Sequence, residues 1–153
     1  MVVPEILAPG GAHLNQLLLD WCGARLGCSF AAGSVAIGVA RNNDLLAVAV
    51  FENYRTSNGK PLSIECSIAA DSPRWITKGT VRAILSYPFL QLGVQRITAL
   101  VHETNERSVK FLNGLGFVRE GYIRDALENG AGVYITGMLR AEAAKWLGGI
   151  VNG

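Results

Sequence analysis

The most restrictive feature of this chain is an alternating strand pattern that leads, through a short polar loop, into an amphipathic helix and a further strand. Residues 62–70 alternate between apolar and polar side chains, with one apolar side formed by Leu62, Ile64, Cys66 and Ile68. The apolar spacing of residues 81–92 predicts a helix that ends at Gly93, and Pro88 should bend it. Residues 96–101 form the next predicted strand. A strand–helix–strand unit of this kind indicates an α/β fold.

The remaining pattern supplies the other elements of that fold. Residues 2–7 predict a first strand, and a helix with an apolar stripe follows and ends near Gly27, its stripe being Leu14, Leu17, Leu18 and Trp21. Residues 34–40 and 45–54 predict a hairpin, and Asn58-Gly59 is a second turn signal. A short helix begins after Asn105 and ends at Gly116, strands follow at 117–124 and 133–139, and residues 140–147 form a last helical turn or two. The predicted order is strand, helix, three strands, helix, strand, helix and two strands.

Composition limits the kinds of protein that this chain can be. A length of 153 residues fits one domain, and 50% hydrophobic with only 17% charged residues excludes a disordered chain. The net charge of +2, without a Lys/Arg cluster, gives no support for a nucleic-acid partner.

Cysteine and histidine content argues against a metal protein. The three cysteines form no C-x-x-C pair, and there are two histidines, so we expect no structural zinc and no other metal. Free thiols, together with the lack of a visible secretion signal or an apolar run of membrane-spanning length, predict a cytoplasmic protein without a membrane partner. The pattern leaves open whether it is a monomer or a homodimer.

The loop at residues 71–80, Asp-Ser-Pro-Arg-Trp-Ile-Thr-Lys-Gly-Thr, predicts an anion site where the strand meets the central helix. Backbone N–H groups at a helix N-terminus are unpaired and lie at the positive end of the helix dipole. Gly79 lets a phosphate approach the backbone closely, and Arg74 and Lys78 add positive charge. The other interpretation is an ordinary turn in which Thr77 or Thr80 caps the helix.

Two segments together carry a family resemblance. The first runs through the central helix and contains Arg74-x-x-Thr77-x-Gly79, Leu92-Gly93 and Arg96-Ile97. The second contains Asn105-x-x-Ser108, Leu115-Gly116-Phe117, Glu120-Gly121 and Arg124. In this order and separation they resemble the GNAT superfamily of N-acetyltransferases over about residues 71–139. The second segment is similar to the branch that contains the ribosomal-protein N-terminal acetyltransferases, and the helix sequence RAILSYPF resembles GNAT proteins encoded in phage genomes.

This resemblance implies one GNAT acyltransferase domain over residues 1–153, with a central mixed, mostly antiparallel sheet of six to seven strands flanked by helices. It implies acetyl-CoA as co-substrate, with the pantetheine arm beside the strand end at Ile68, Ala69 and Ala70. The diphosphate would lie on the backbone of Arg74, Trp75, Ile76, Thr77, Lys78, Gly79 and Thr80. Asn105 would hydrogen-bond the cofactor near its thiol end, and Ser108 would lie close to the sulfur.

The resemblance also implies direct attack of an amine on a thioester with both substrates bound, which requires a group that accepts the amine proton. Glu65 is the first candidate for this base, because it lies in the strand that leads to the cofactor loop; the alternative is a solvated strand carboxylate. His102 and Glu103, at the end of the next strand, are the other candidates. Ser108 is the candidate that protonates the thiolate, and otherwise it is a serine of the first helical turn. Tyr122 and Tyr134 remain open as acids without a spacing argument.

The acceptor is predicted only as a primary amine of a protein, a peptide or a small molecule. The resemblance assigns its recognition to residues 13–26 and 124–132, where acidic side chains would attract a cation, namely Asp20, Asp125 and Glu128. The first helical region is short for a lid of two helices, which favours an open cleft suited to a protein or peptide terminus.

Two departures from the family pattern favour a second hypothesis. Thr77 stands where the pattern has its first glycine, and its hydroxyl would have to bond a phosphate oxygen in compensation. Leu112 stands where many members have a tyrosine that acts as the general acid. The alternative is therefore a GNAT-fold protein that binds acyl-CoA or a partner protein without turnover.

Overall fold

The computed structural model describes residues 5–7 and 11–148. Its strands are β1 (Glu5–Leu7), β2 (Val35–Arg41), β3 (Asp44–Ser57), β4 (Lys60–Ala70), β5 (Arg96–His102), β6 (Val118–Ile123) and β7 (Val133–Leu139). Its α-helices are α1 (Ala12–Leu26), α2 (Lys78–Ser86), α3 (Glu106–Leu115) and α4 (Ala144–Leu147). The predicted start of the first strand, at residues 2–4, lies outside the described residues.

All seven described strands form one sheet in the order β1-β2-β3-β4-β5-β7-β6. Strands β4 and β5 are parallel and the other neighbouring pairs are antiparallel, so the predicted mixed, mostly antiparallel sheet flanked by helices is confirmed. The parallel pair is the strand–helix–strand unit of the sequence, since α2 connects β4 to β5.

Both hairpins follow from their turn residues. Asn42 and Asn43 have φ angles of 51° and 68°, and Asn58 and Gly59 have φ angles of 51° and 77°. Two consecutive residues with positive φ make the tight turn whose twist matches that of the paired strands. The second hairpin is long: β3 continues to Ser57, beyond Phe51, the last of its residues that pairs with β2.

The sheet has a hydrophobic core on each face. Helix α1 covers β2, β3 and β4 on one face through Leu18, Leu19 and Cys22. Helices α2, α3 and α4 supply residues to the larger core on the other face, around Phe51, Phe89 and Ile97. Because successive strand residues point to opposite faces, β3 contributes Ala47, Ala49 and Phe51 to the larger core and Val48 and Val50 to the smaller one.

The structure differs from the sequence prediction at two helices. In α1 the predicted stripe is wrong at Leu17, which is 52% exposed, because the buried face runs through Leu18, Leu19 and Cys22. The predicted central helix changes character after Ser86 and continues as a π-helical segment, Tyr87–Leu92, with Pro88 at its start. Proline has no N–H to donate to the helical ladder, which accounts for the change.

Candidate functional site

The candidate site lies where the parallel strands separate. Strands β4 and β5 pair at four positions, from Ser63 opposite Arg96 to Cys66 opposite Ala99. Beyond these, β4 continues to Ala70 and β5 to His102 without pairing to each other. The gap exposes the backbone edge of β4 and leads into two adjoining cavities.

The wider cavity, about 550 Å³, lies between the end of β4, the loop before α2 and the start of α3. Its wall contains the predicted pantetheine residues Ile68, Ala69 and Ala70, together with Trp75 and Ile76 of the predicted diphosphate run. The other residues that were predicted to bind the diphosphate do not line this cavity, namely Arg74, Thr77, Lys78, Gly79 and Thr80. Three basic side chains also line it, namely Arg25, Arg107 and Lys110.

The loop before α2 is held rigidly by its own hydrogen bonds. Thr77 caps α2 by accepting a hydrogen bond from the Thr80 N–H at 3.0 Å, and the Thr80 hydroxyl accepts one from the Thr77 N–H at 3.0 Å. The Thr80 hydroxyl also donates to the Trp75 carbonyl oxygen, and the buried Trp75 ring packs against Phe111 of α3 with ring centroids 5.2 Å apart. The Thr77 hydroxyl oxygen is therefore an acceptor within its own helix, and its bond to a phosphate oxygen stays a prediction. The first-turn N–H groups of Lys78 and Gly79 lie on the exposed surface.

The smaller cavity, about 270 Å³, extends into the gap between β4 and β5. His102, Asn105 and Ser108 all line it, and Asn105 and Ser108 line the wider cavity as well. The Asn105 side-chain oxygen caps α3 by accepting from the Ser108 N–H at 3.2 Å. The fold thus brings the predicted thiol-end residues together at the junction of the two cavities.

Glu65 precedes Cys66, a residue of the smaller cavity, on β4 and lies outside the walls of both cavities. Its side chain accepts a hydrogen bond from the Asn53 amide, and its position on β4 is directly opposite Glu52 on β3. Burial, and then the charge of Glu65, raise the pKa of Glu52 above its ordinary value. The Glu52 charge also contributes to the raised pKa of the Cys28 thiol, after burial, and Cys28 lines the smaller cavity. The two carboxylates therefore lie on the α1 side of the gap.

The tyrosines and Glu103 have other partners. Tyr122 donates a hydrogen bond to the Glu103 carboxylate at 2.6 Å, which lowers the pKa of Glu103 and raises that of Tyr122. The Tyr122 and Tyr134 rings pack on each other, and neither residue lines the two cavities. Leu112, in the position where the family pattern has a tyrosine, is buried in the wall of the smaller cavity.

Sequence reasoning missed Glu52, Cys28, Arg107 and Lys110. A signal for Glu52 was present, because Asn58-Gly59 places Ser57 opposite Lys60, and the same register, which the structure resumes after irregularities around Arg55, places Glu52 opposite Glu65. The other three reach the cavities only through the packing of α1 and α3 beside the sheet, which no local pattern reports.

Residues 5–7 and 11–148 contain no group of three or more His, Cys, Asp and Glu side chains that could hold a metal ion. Within the same ranges, no helix has the length and apolar character needed to cross a membrane.

Sequence comparison shows similarity to an N-acetyltransferase over part of the chain. The chain is 38% identical over 68 residues to an uncharacterized N-acetyltransferase, p20, from Bacillus licheniformis. The match spans 42% of this chain and 38% of the relative, so it covers well under half of that protein's length. No protein-family model matches the chain.

Comparison with solved structures identifies the architecture. The ribosomal-protein-S5-alanine acetyltransferase from Vibrio fischeri has a TM-score of 0.67 at 16% identity, covering 89% of this chain and 92% of its own. Mutant forms of the spermidine/spermine N-acetyltransferase SpeG from Vibrio cholerae give 0.68 at 15% identity, covering 93% and 96%. YncA from Salmonella typhimurium, an acetyltransferase structure with its cofactor acetyl-CoA, gives 0.62 at 16% identity, covering 90% and 94%. The chain therefore has the fold of the GNAT acetyltransferases.

Proposed function

We propose that this chain is a GNAT-superfamily N-acyltransferase that moves an acetyl or longer acyl group from acyl-CoA to a primary amine in a ternary complex. The separation of β4 and β5 beside the N-terminus of α2 carries this proposal. It provides an unpaired strand edge, exposed helix N–H groups and a continuous pair of cavities in one place.

The residues present fit acyl-CoA along its length. The amides of a pantetheine arm can pair with the free edge of β4 at residues 67–70, as an added strand would. Its phosphates would meet the N–H groups of Lys78 and Gly79 at the positive end of α2. Arg107 and Lys110 add positive charge in the wall of the wider cavity. The thiol end then reaches Asn105 and Ser108 at the junction of the cavities.

Transfer requires that an amine lose a proton and a sulfur gain one. The acceptor nitrogen attacks the thioester carbonyl carbon, a C–N bond forms and the C–S bond breaks. We assign acceptance of the amine proton to Glu65, which lies directly opposite Glu52 on β3, where burial and then the charge of Glu65 raise the pKa of Glu52. We assign the hydrogen bond to the departing thiolate to the Ser108 hydroxyl, and positioning by the cleft supplies much of the rate. His102, in the wall of the smaller cavity, is the other candidate base.

The acceptor is an amine that is cationic in solution. Spermidine/spermine acetyltransferase is among the proteins with this fold, and the two carboxylates here provide negative charge beside the gap. The loop after α1 leads directly to β2 without a second helix in the described residues, which leaves that side of the cleft open to a peptide terminus as well as to a small amine.

The proposal is tested at Gly79, where a built Cβ meets only the Thr77 hydroxyl oxygen, at 3.7 Å. Gly79→Ala should therefore fold and bind acetyl-CoA, whereas Gly79→Asp should abolish binding because its carboxylate repels the diphosphate. Titration calorimetry with acetyl-CoA measures both, and equal affinity in Gly79→Asp and Gly79→Ala would disprove the cofactor site.

Turnover is measured as thiol release from acetyl-CoA with a panel of primary amines. Loss of a general base typically costs about 10²–10⁴-fold in rate, so Glu65→Gln should lower turnover by at least about 10² while leaving acetyl-CoA affinity unchanged. His102→Gln is the matched comparison, and a loss confined to that variant would move the base to His102. Binding of acetyl-CoA without turnover on any amine would instead support the acyl-CoA-binding protein.

A further inference from the structure

The two cavities divide the proposed CoA site into a part for the pantetheine arm and a part for the acyl group. Both are lined by Leu26, Ile68, Asn105, Ser108 and Phe111, so they join at that point. If the pantetheine arm follows β4 through the wider cavity, its sulfur arrives at this junction. The 270 Å³ beyond the junction is then left for the acyl group and the attacking nitrogen.

The inner end of the smaller cavity is apolar. The polar side chains Ser67, His102, Asn105 and Ser108 contrast with an inner wall of almost fully buried residues, namely Cys66, Ala99, Val101, Leu112, Phe117 and Val133. Among the described residues that line this cavity there is no Asp, Glu, Lys or Arg. The Cys66 thiol forms no hydrogen bond to any described residue, and burial raises its pKa, so it faces the cavity as an uncharged group.

The apolar wall includes Leu112, the position where the family pattern has a tyrosine hydroxyl. Leu112 projects from α3 into this wall, and Phe117 follows it after the αL turn at Gly116. A leucine there offers methyl groups to whatever adjoins the sulfur. An apolar surface of this kind gains free energy when an alkyl chain, rather than water, lies against it.

The cavity is also larger than an acetyl group requires. A cavity of only about 10–15 Å³ holds one water, which is close in size to a methyl group, so a volume of about 270 Å³ exceeds what the methyl of an acetyl group needs. Room therefore remains for several methylene groups even when an amine nitrogen is present.

We propose that the smaller cavity is an acyl-chain pocket and that the preferred co-substrate carries a short to medium aliphatic acyl group, such as butanoyl or hexanoyl, rather than acetyl. This inference rests on the proposed function. The reaction is unchanged: the amine nitrogen bonds to the acyl carbon, the C–S bond breaks, and CoA leaves as a thiolate that takes up a proton. Chain length is selected by the Cys66, Ala99 and Leu112 side chains, which touch the alkyl group and no other part of the co-substrate.

The test is titration calorimetry of the full chain with CoA, acetyl-CoA, butanoyl-CoA and hexanoyl-CoA. Burial of a methylene group contributes about 0.8 kcal/mol, which is about fourfold in Kd, so butanoyl-CoA should bind about 15-fold more tightly than acetyl-CoA. Ala99→Val, which narrows the pocket, should bring the affinities for butanoyl-CoA and acetyl-CoA close together. Ala141→Val, at an exposed position outside the cavity, is the matched control and should keep the gain.

The wild-type series decides the matter even where Ala99→Val fails to fold. Acetyl-CoA binding as tightly as butanoyl-CoA, or more tightly, overturns the acyl-chain pocket and leaves the proposed function intact. A failure of CoA and all three esters to bind overturns the proposed function and this inference with it.

Discussion

Glu52 and Glu65 lie directly opposite each other on β3 and β4, where like charges destabilise a sheet. Neither carboxylate takes part in a salt bridge among the described residues, although the Asn53 amide donates to Glu65. Asn53 reaches this position through a φ of 57° at an irregularity in the β3–β4 register. The fold therefore keeps two carboxylates opposite each other on β3 and β4 without a cationic partner among the described residues.

A glutamine at position 52 should stabilise the folded chain at neutral pH. The folded state raises the pKa of Glu52, so it binds this proton more readily than the unfolded state, and the resulting stability is lost as pH rises through the raised pKa. Glu52→Gln removes that loss, and the free energy of unfolding at pH 7 should rise by roughly 0.2–1 kcal/mol. Urea unfolding at pH 7 and pH 4 measures the change, which should be smaller at pH 4.

Asp44→Asn is the control for this prediction, because Asp44 is exposed at the opposite end of the same strand. It should leave the difference between the two pH values as in the wild type. A Glu52→Gln variant that is less stable than the wild type at pH 7 would show that the pair is not repulsive.

At the scale of single elements, the start of α2 determines how the proposed diphosphate site is presented. The helix begins at Lys78 with a reciprocal pair of hydrogen bonds between Thr77 and Thr80. The preceding 3₁₀ turn, Pro73–Trp75, is capped by the Ser72 hydroxyl, which accepts from the Arg74 N–H at 3.1 Å. These caps leave the N–H groups of Lys78 and Gly79 as the ones that can bind an anion.

Thr77→Ala should remove the cap and destabilise the fold by about 1 kcal/mol. Thr77→Gly should cost only a few tenths of a kcal/mol, since glycine is itself a fair N-cap residue. This variant also restores the glycine of the family pattern. Thermal unfolding with calorimetry on both variants checks the order. Equal stability of Thr77→Ala and the wild type would show that α2 does not depend on this cap.

Local patterns predicted most elements and part of the site. The Asn58-Gly59 turn, the alternation of β4 and the αL stops at Gly93 and Gly116 are written in neighbouring residues, and all appear in the structure. Ile68 lies near the end of β4, and Asn105 and Ser108 lie at the start of α3 just after β5, so one parallel pair brings all three to one cleft. The exposure of Leu17 was not predictable from a local pattern. Two faces of α1 have comparable numbers of leucines, and only the packing of the helix on the sheet decides which face is buried.

At the scale of the whole molecule, the sheet consists of two halves that meet at the β4–β5 pair. β1 to β4 lie on one side of this joint and β5, β7 and β6 on the other, and four residue pairs connect them directly. Ile64 and Ile97 form one of these pairs, and both belong to the larger core. The same separation that opens the cleft thus limits the contact between the halves.

Ile97→Ala should destabilise the whole fold by about 2–5 kcal/mol, because Ile97 is 0% exposed and its loss leaves a cavity at the joint. Ile97→Val, which removes one methyl group, should cost about 0.5–1.5 kcal/mol. Chemical denaturation followed by tryptophan fluorescence and by far-UV circular dichroism gives both values. A loss below 1 kcal/mol in Ile97→Ala would show that the joint adds little to stability.

The three thiols differ in solvent exposure, and this difference decides which of them an electrophile can modify. Cys22 lies on the buried face of α1 and burial raises its pKa to about 12, Cys66 is buried in the cleft wall, and Cys28 is exposed. The folded chain therefore offers an alkylating or disulfide reagent one sulfur atom rather than three. Since Cys28 also lines the smaller cavity, occupancy of that cavity and chemical labelling of the protein compete for the same surface.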